Sequence, residues 1–183
     1  MLIFDRDGTL YTYDYAVYND KQNLWTDPNT HVFMKDKIFE GMKELLNWAI
    51  VNNIEFCVLS KMPENLPEST LNVMALDKLM HFANDGINIW KGDIHFTKLD
   101  KAAYFVKMTG RLPNKSDILF SDYQPELESW MLIGGSSVKV LNGVNSLTHW
   151  NGCSINALNP GESIINSVIA IRKNLYEGGI ISK

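Results

Sequence analysis

Two aspartates stand in the run Asp5-Arg6-Asp7-Gly8-Thr9-Leu10, directly after the apolar stretch Met1-Leu2-Ile3-Phe4. Carboxylates at i and i+2 beyond a strand end can both face one pocket when the chain turns, and Gly8 permits a sharp turn. A metal ion between them favours ionisation of the first. An ionised carboxylate can attack phosphorus and form an aspartyl-phosphate. A second carboxyl group can protonate the leaving oxygen and then activate water. A lone Asp-X-Asp also describes a solvated turn. The apolar run before this one and the Gly-Thr-Leu after it favour the pocket.

Other residues could complete such chemistry. Ser60 ends the apolar run Ile54-Glu55-Phe56-Cys57-Val58-Leu59, where its hydroxyl can bond a phosphoryl oxygen. Lys98 and Lys101 flank the expected start of a helix, where an ammonium reinforces an anion site and offsets charge on Asp5. Asp122 ends the run Asp117-Ile118-Leu119-Phe120-Ser121 and is well placed as a hard oxygen ligand for Mg²⁺. Glu126, four residues on, falls on the same helical face and could hold a metal-bound water or another ligand. The histidines at 31, 81, 95 and 149 lack metal-ligand spacing.

These residues need elements to hold them. Residues 1–5, 54–60, 117–122 and 137–141 read as near-continuous apolar strands of the kind found in a parallel sheet covered on both faces. Helical periodicity falls between them. In 37–52, Ile38, Met42, Leu45, Leu46 and Ala49 share a face, with Asp36 as a cap. In 65–82, Asn65 and Glu68 fit a capping box, with Pro67 in the first turn. In 97–109, Thr97 and Asp100 fit a looser box, and Gly110 stops the helix. A helix over about 124–133 ends at Gly134-Gly135. The last, about 161–177, turns Ile164, Ile165, Val168, Ile169, Leu175 and Tyr176 inward. The expected fold is therefore α/β, a doubly wound parallel sheet in a single domain over residues 1–183. Such sheets bind ligands beyond the carboxyl ends of their strands, where the polar residues named above would converge. Residues 11–36, rich in Tyr, Asp and Asn, form a long insertion after the first strand, expected to act as a flap or minimal cap.

Composition narrows the function classes. The chain has 183 residues, 45% hydrophobic and 21% charged, as expected of a globular domain. No apolar run approaches the roughly 20 residues that cross a bilayer, and no basic leader precedes the first strand, so a cytoplasmic location is expected. Two cysteines, Cys57 within an apolar run and Cys153, do not make a disulfide framework or a zinc site. A net charge of −4 with scattered Lys and Arg does not describe a long face for duplex nucleic acid.

Taken together, the chain resembles the haloacid dehalogenase superfamily, whose four motifs have counterparts here in order. Asp5-Arg6-Asp7-Gly8-Thr9 matches the first, Ser60 the second, Lys101 the third with Lys98 as rival, and Ser121-Asp122-Tyr123-Gln124-Pro125-Glu126 the fourth. The resemblance covers roughly residues 1–142. It implies Asp5 as nucleophile, Asp7 as acid/base, and Mg²⁺ held by the Asp5 side chain, the Asp7 backbone carbonyl and the Asp122 side chain. Leu59-Ser60-Lys61-Met62-Pro63, Lys101-Ala102-Ala103-Tyr104 and the stretch from Ile118 to Ser146 look closest to small 5′(3′)-deoxyribonucleotidase-like phosphatases, including phage-type members. Those proteins usually carry Asp-Asp where this chain has Ser121-Asp122, and a longer insertion than 11–36. The first motif also resembles sugar- and histidinol-phosphate phosphatases, ranked lower because the Cys/His zinc loop of the sugar bisphosphatases is absent.

The resemblance implies a Mg²⁺-dependent phosphomonoesterase acting on a small phosphate ester, first of all a nucleoside monophosphate, with the aromatic residues of 11–25 stacking on the base. An open site would also suit a polynucleotide 3′-phosphatase, or a phosphatase of sugar phosphates or phosphoproteins. A binding module with a degenerate site is the reading outside enzymes.

Overall fold

Six parallel strands form one sheet in the order β3-β2-β1-β4-β5-β6. The computed structural model describes residues 1–12, 37–90, 93–143, 145, 149–158 and 163–177. The strands are β1 (Leu2–Phe4), β2 (Phe56–Lys61), β3 (Ile94–Thr97), β4 (Ile118–Ser121), β5 (Ser136–Leu141) and β6 (Cys153–Asn156). Among the described residues the helices are α1 (Glu40–Val51), α2 (Glu68–Asn84), α3 (Lys101–Thr109), α4 (Gln124–Leu132) and α5 (Ile164–Glu177).

Alternation along the strands assigns the two faces. Leu2 and Phe4 of β1, Val58, Ile118, Phe120, Val138 and Val140 pack with Met42, Leu45 and Leu46 of α1 and with Ile164 and Val168 of α5. Ile3, Cys57, Leu59 and Leu119 point the other way, against Phe105 of α3 and Leu127 and Trp130 of α4. Both faces are thus covered, which is why β1, β2 and β4 read as near-continuous apolar runs. Each fully buried side chain of this size contributes on the order of 1.5–3 kcal/mol. Phe105 and Trp130 meet edge to face at 5.1 Å, and the Trp130 indole N–H donates to the Asp117 carbonyl at 3.1 Å. The chain reverses direction across the sheet between β1 and β4, which pair at Leu2–Ile118 and Phe4–Phe120. A crevice beyond the carboxyl ends of that pair is where such a fold places ligands.

Some local expectations need correction. No side-chain cap forms at the start of α2 or α3: Pro67 and Asp100 occupy the cap positions, and Thr97 Oγ1 instead accepts from the Leu99 N–H at 2.9 Å. Helix α1 begins after Phe39, and Asp36 lies outside the described residues. Ile169 of α5 is exposed, because the helix rests on the sheet along the narrower Ile164–Val168 line. Tyr11, expected in a base-stacking segment, is a core residue: it is fully buried, and its ring meets Phe82 edge to face at 5.1 Å. The rest of the expected flap, 13–36, lies outside the described residues. Its flanks are joined, since the Thr12 N–H donates to the Lys37 carbonyl and the Lys37 N–H to Thr12 Oγ1.

Candidate active site

The turn after β1 is built on the Arg6 carbonyl, which accepts the N–H groups of Leu10 and Tyr11, each at 2.9 Å. Gly8 sits at its apex with φ of +76°. A Cβ there would lie 2.3 Å from Asp122 Oδ2, so the loop after β4 presses against a backbone position only glycine can fill. Thr9 ties the two loops together: fully buried, its Oγ1 accepts the Asp122 N–H at 2.9 Å. The loop after β5 adds Asn142, whose Nδ2 donates to the Gly8 carbonyl at 2.8 Å and to Asp122 Oδ2 at 3.1 Å. Asn145 Nδ2 donates to the Asp122 carbonyl at 3.0 Å. Three strand ends are thereby locked into one constellation.

Asp5 is buried at its centre. Its Oδ1 accepts the Arg6 backbone N–H at 2.8 Å and faces Lys101 Nζ at 3.1 Å, while Ser121 Oγ donates to Oδ2 at 3.4 Å. Lys101 is the first residue of α3, 3% exposed, and its ammonium also bonds Glu126. Burial opposes the charge on Lys101, but Asp5 and Glu126 outweigh it and hold its pKa above the ordinary lysine value. Burial pushes Asp5 up to about 7; Lys101 works against that, while Glu126, Asp122 and Asp7 reinforce it. Burial likewise pushes Asp122 up to about 6, against the hydrogen bond from Asn142.

Asp7 is held differently. Its Oδ1 takes Arg6 Nη1 and its Oδ2 takes Lys78 Nζ, with Ser60 Oγ donating to Oδ2 at 3.3 Å. Burial raises its pKa, but Lys78 and then Arg6 overcome that and hold the carboxyl below the usual carboxylate range. The fully buried Arg6 guanidinium lies over the Tyr11 ring at 4.3 Å and bonds His81 Nδ1 at 2.7 Å.

Asp5, Asp7, Lys101, Asp122 and Glu126 all line one cavity of about 700 Å³ at the carboxyl end of the sheet. Ser60, fully buried beneath it, is held by Asp7 and Lys78. Lys98 is not brought there; it pairs with Glu68 at 3.5 Å and is largely exposed. His149 is exposed and does not line the cavity. Glu126 takes Lys101 and Ser121, and so orients the lysine that faces Asp5. Sequence reasoning missed Lys78, Thr9, Asn142 and the network about Arg6. For Lys78 a signal existed: with Leu71, Met74 and Phe82 it recurs at helical spacing along one buried stripe, where a solvent-directed lysine does not belong.

Among the described residues no group of three His, Cys, Asp or Glu side chains is arranged around a metal position. The donor chemistry nevertheless fits a hard divalent cation. Asp5 and Asp122 are two buried carboxylates, both raised above their ordinary values chiefly by burial, and a cation held by them would favour their ionised forms. Two carboxylates, a backbone carbonyl and waters are an ordinary set for Mg²⁺.

No sequence-family profile matches the chain, and no curated protein matches it. Solved structures do. A D,D-heptose 1,7-bisphosphate phosphatase from B. bronchiseptica, complexed with magnesium and phosphate, superposes with a TM-score of 0.59 at 13% identity, covering 94% of this chain and 98% of that one. The Burkholderia thailandensis D,D-heptose 1,7-bisphosphate phosphatase gives 0.56 at 14%, covering 93% and 97%. A family IA, variant 3 HAD hydrolase from Entamoeba histolytica gives 0.58 at 13%, covering 92% and 98%. With its six-stranded parallel sheet and flanking helices, this chain has the Rossmann-like fold of solved haloacid dehalogenase-type hydrolases.

Proposed function

We propose that the protein is a phosphomonoesterase of the haloacid dehalogenase type, in which Asp5 attacks phosphorus. The observation that carries this reading is the convergence of Asp5, Asp7, Lys101 and Asp122 on one cavity from three strand ends and a helix start. An Asp5 oxygen forms the bond to phosphorus as the ester oxygen departs, leaving a phospho-aspartate that water then hydrolyses. Lys101 and Ser60 bind phosphoryl oxygens, and Glu126 holds Lys101 in reach of Asp5. Asp7 meets the leaving oxygen and afterwards the water. It gives a proton to the leaving oxygen and later takes one from the attacking water; Lys78 and Arg6 favour its ionised form, so it must take up that first proton from solvent against both cations. Asp5, Asp122 and the Asp7 carbonyl would hold Mg²⁺, which supplies charge neutralisation for the phosphoryl group.

For the substrate we propose a nucleoside monophosphate. This rests on the likeness of residues 59–63, 101–104 and 118–146 to small deoxyribonucleotidases, and on a cavity whose volume suits a ligand of that size. Sugar phosphates are the second reading, favoured by the likeness to the two heptose bisphosphate phosphatases. Release of phosphate from p-nitrophenyl phosphate with Mg²⁺, followed by a panel of nucleoside 5′- and 3′-monophosphates, sugar phosphates and a 3′-phosphorylated oligonucleotide, tests both levels. Turnover unchanged in Asp5→Asn, or none in the wild type, overturns the enzyme reading. Turnover confined to sugar phosphates overturns the nucleotide alone.

A further inference from the structure

We propose that Lys78 is a second anion-binding cation of this site, seating a phosphoryl oxygen together with Ser60 opposite Lys101. The proposal rests on the phosphatase reading and extends it: the phosphoryl group sits between two lysines from two different helices.

Lys78 lies in the middle of α2, not at its start, so it owes nothing to a helix terminus. Its side chain is 11% exposed, yet its ammonium reaches the cavity floor. Nζ donates to Ser60 Oγ at 3.0 Å and to Asp7 Oδ2. An ammonium carries three donors, and these two partners leave one for an incoming oxygen. An oxygen that takes the Ser60 hydroxyl proton in place of Asp7 Oδ2 arrives within reach of a cation already bonded to the same hydroxyl. Lys101 stands on the Asp5 side and Lys78 on the Asp7 side, so each aspartate has its own lysine.

Charge pairing with Asp7 alone does not account for Lys78. Arg6 already supplies Asp7 with a fully buried guanidinium on its other oxygen. Burying a second cation costs desolvation that a single doubly shared carboxylate repays poorly. An anion drawn into the cavity repays it, since both lysines and the Ser60 hydroxyl would then face negative charge in a site removed from water. Met62 and Met74 make the wall beside Lys78 apolar, while Lys61, which also lines the cavity, is paired with Asp100 at 2.9 Å and Glu64 at 3.5 Å.

The test is binding of inorganic phosphate to the full chain with Mg²⁺, by titration calorimetry, alongside turnover of p-nitrophenyl phosphate. Lys78→Met is expected to weaken phosphate binding roughly tenfold to a hundredfold and to raise KM, the range for a lost charge-assisted hydrogen bond. Lys78→Arg is expected to recover most of the loss, and Lys98→Met, outside the cavity, to change neither quantity. Should Lys78→Met not fold by circular dichroism, Lys78→Gln removes the charge while keeping a donor and carries the same expectation. Phosphate affinity within twofold of wild type in a folded charge-free variant overturns the proposal. So does failure of Lys78→Arg to bind phosphate better than the charge-free variant. A wild type that neither binds phosphate nor turns over ester overturns the phosphatase reading instead.

Discussion

Replacing Gly8 by alanine perturbs a position where two independent costs can be separated. The first is conformational: φ is +76°, and an L-residue there pays roughly 1–2 kcal/mol. The second is steric. The new methyl would stand 2.3 Å from Asp122 Oδ2 and 2.6 Å from its Cγ, so the carboxylate must retreat by about 1 Å to reach ordinary contact. That retreat breaks its hydrogen bond from Asn142, at 3.1 Å, worth roughly 1.5–3 kcal/mol for a charged acceptor. Gly110 supplies the control: it has φ of +72° with nothing within 4 Å of an added methyl, so Gly110→Ala pays the first cost only. Urea denaturation is expected to place Gly110→Ala about 1–2 kcal/mol below wild type and Gly8→Ala about 2.5–5 kcal/mol below it. Because the displaced group is a proposed ligand, Mg²⁺ is expected to raise Tm in the wild type and in Gly110→Ala and to raise it less in Gly8→Ala. Equal destabilisation of the two, with equal response to Mg²⁺, would refute the reasoning.

Asp122→Asn should remove most of the Mg²⁺-dependent rise in Tm while leaving the circular dichroism spectrum intact. A full response to the ion in that variant would exclude Asp122 as a ligand. Far from the site, Asp117 accepts two bonds from Arg111, at 2.6 and 2.9 Å, and one from the Asn114 N–H at 2.9 Å. Burial opposes its charge, but these bonds prevail and hold its pKa below the ordinary 3.8. The stability it contributes is therefore present above about pH 4 and lost as pH falls through the lower folded value. Asp117→Asn should lower Tm at pH 7 and flatten the acid limb below about pH 4; an unchanged acid limb would exclude Asp117 as a source of that stability. Trp130→Phe removes the indole donor to the Asp117 carbonyl and part of a fully buried side chain, so a loss of roughly 1–3 kcal/mol is expected in the same denaturation assay.

Four of the six strands were legible because both of their faces are buried, which leaves apolar runs at 2–4, 56–59 and 118–120 and the apolar pair Val138 and Val140 within 136–141. The two edge strands were not. Ile94-His95-Phe96-Thr97 is only half-buried, and Cys153-Ser154-Ile155-Asn156 buries Ile155 alone. A strand paired on one side carries too little apolar signal to stand out from a loop. The site divides along a similar line. Asp5, Asp7, Ser60, Lys101 and Asp122 sit at strand ends or a helix start, where type and position together are informative. Lys78, inside a helix, becomes informative only when its phase relative to Leu71, Met74 and Phe82 is followed. The capping pairs failed for a local reason: Pro67 has no side-chain acceptor to offer at its cap position, the Asp100 carboxylate is spent on Lys61, and the Thr97 hydroxyl is spent on its own turn.

The paired flanks at Thr12 and Lys37 carry a consequence for how such a protein can change. Residues 12 and 37 meet in one hydrogen-bonded pair, braced by the antiparallel bridge between Tyr11 and Ile38. With the two ends of a connecting segment fixed in this way, doubling its length costs only about 0.6 kcal/mol of closure entropy. Insertions or deletions between those two residues therefore leave the register of β1 and the seat of Asp5 untouched. Selection can lengthen or shorten residues 13–36 in one stretch of coding sequence while the reacting groups stay where the sheet put them.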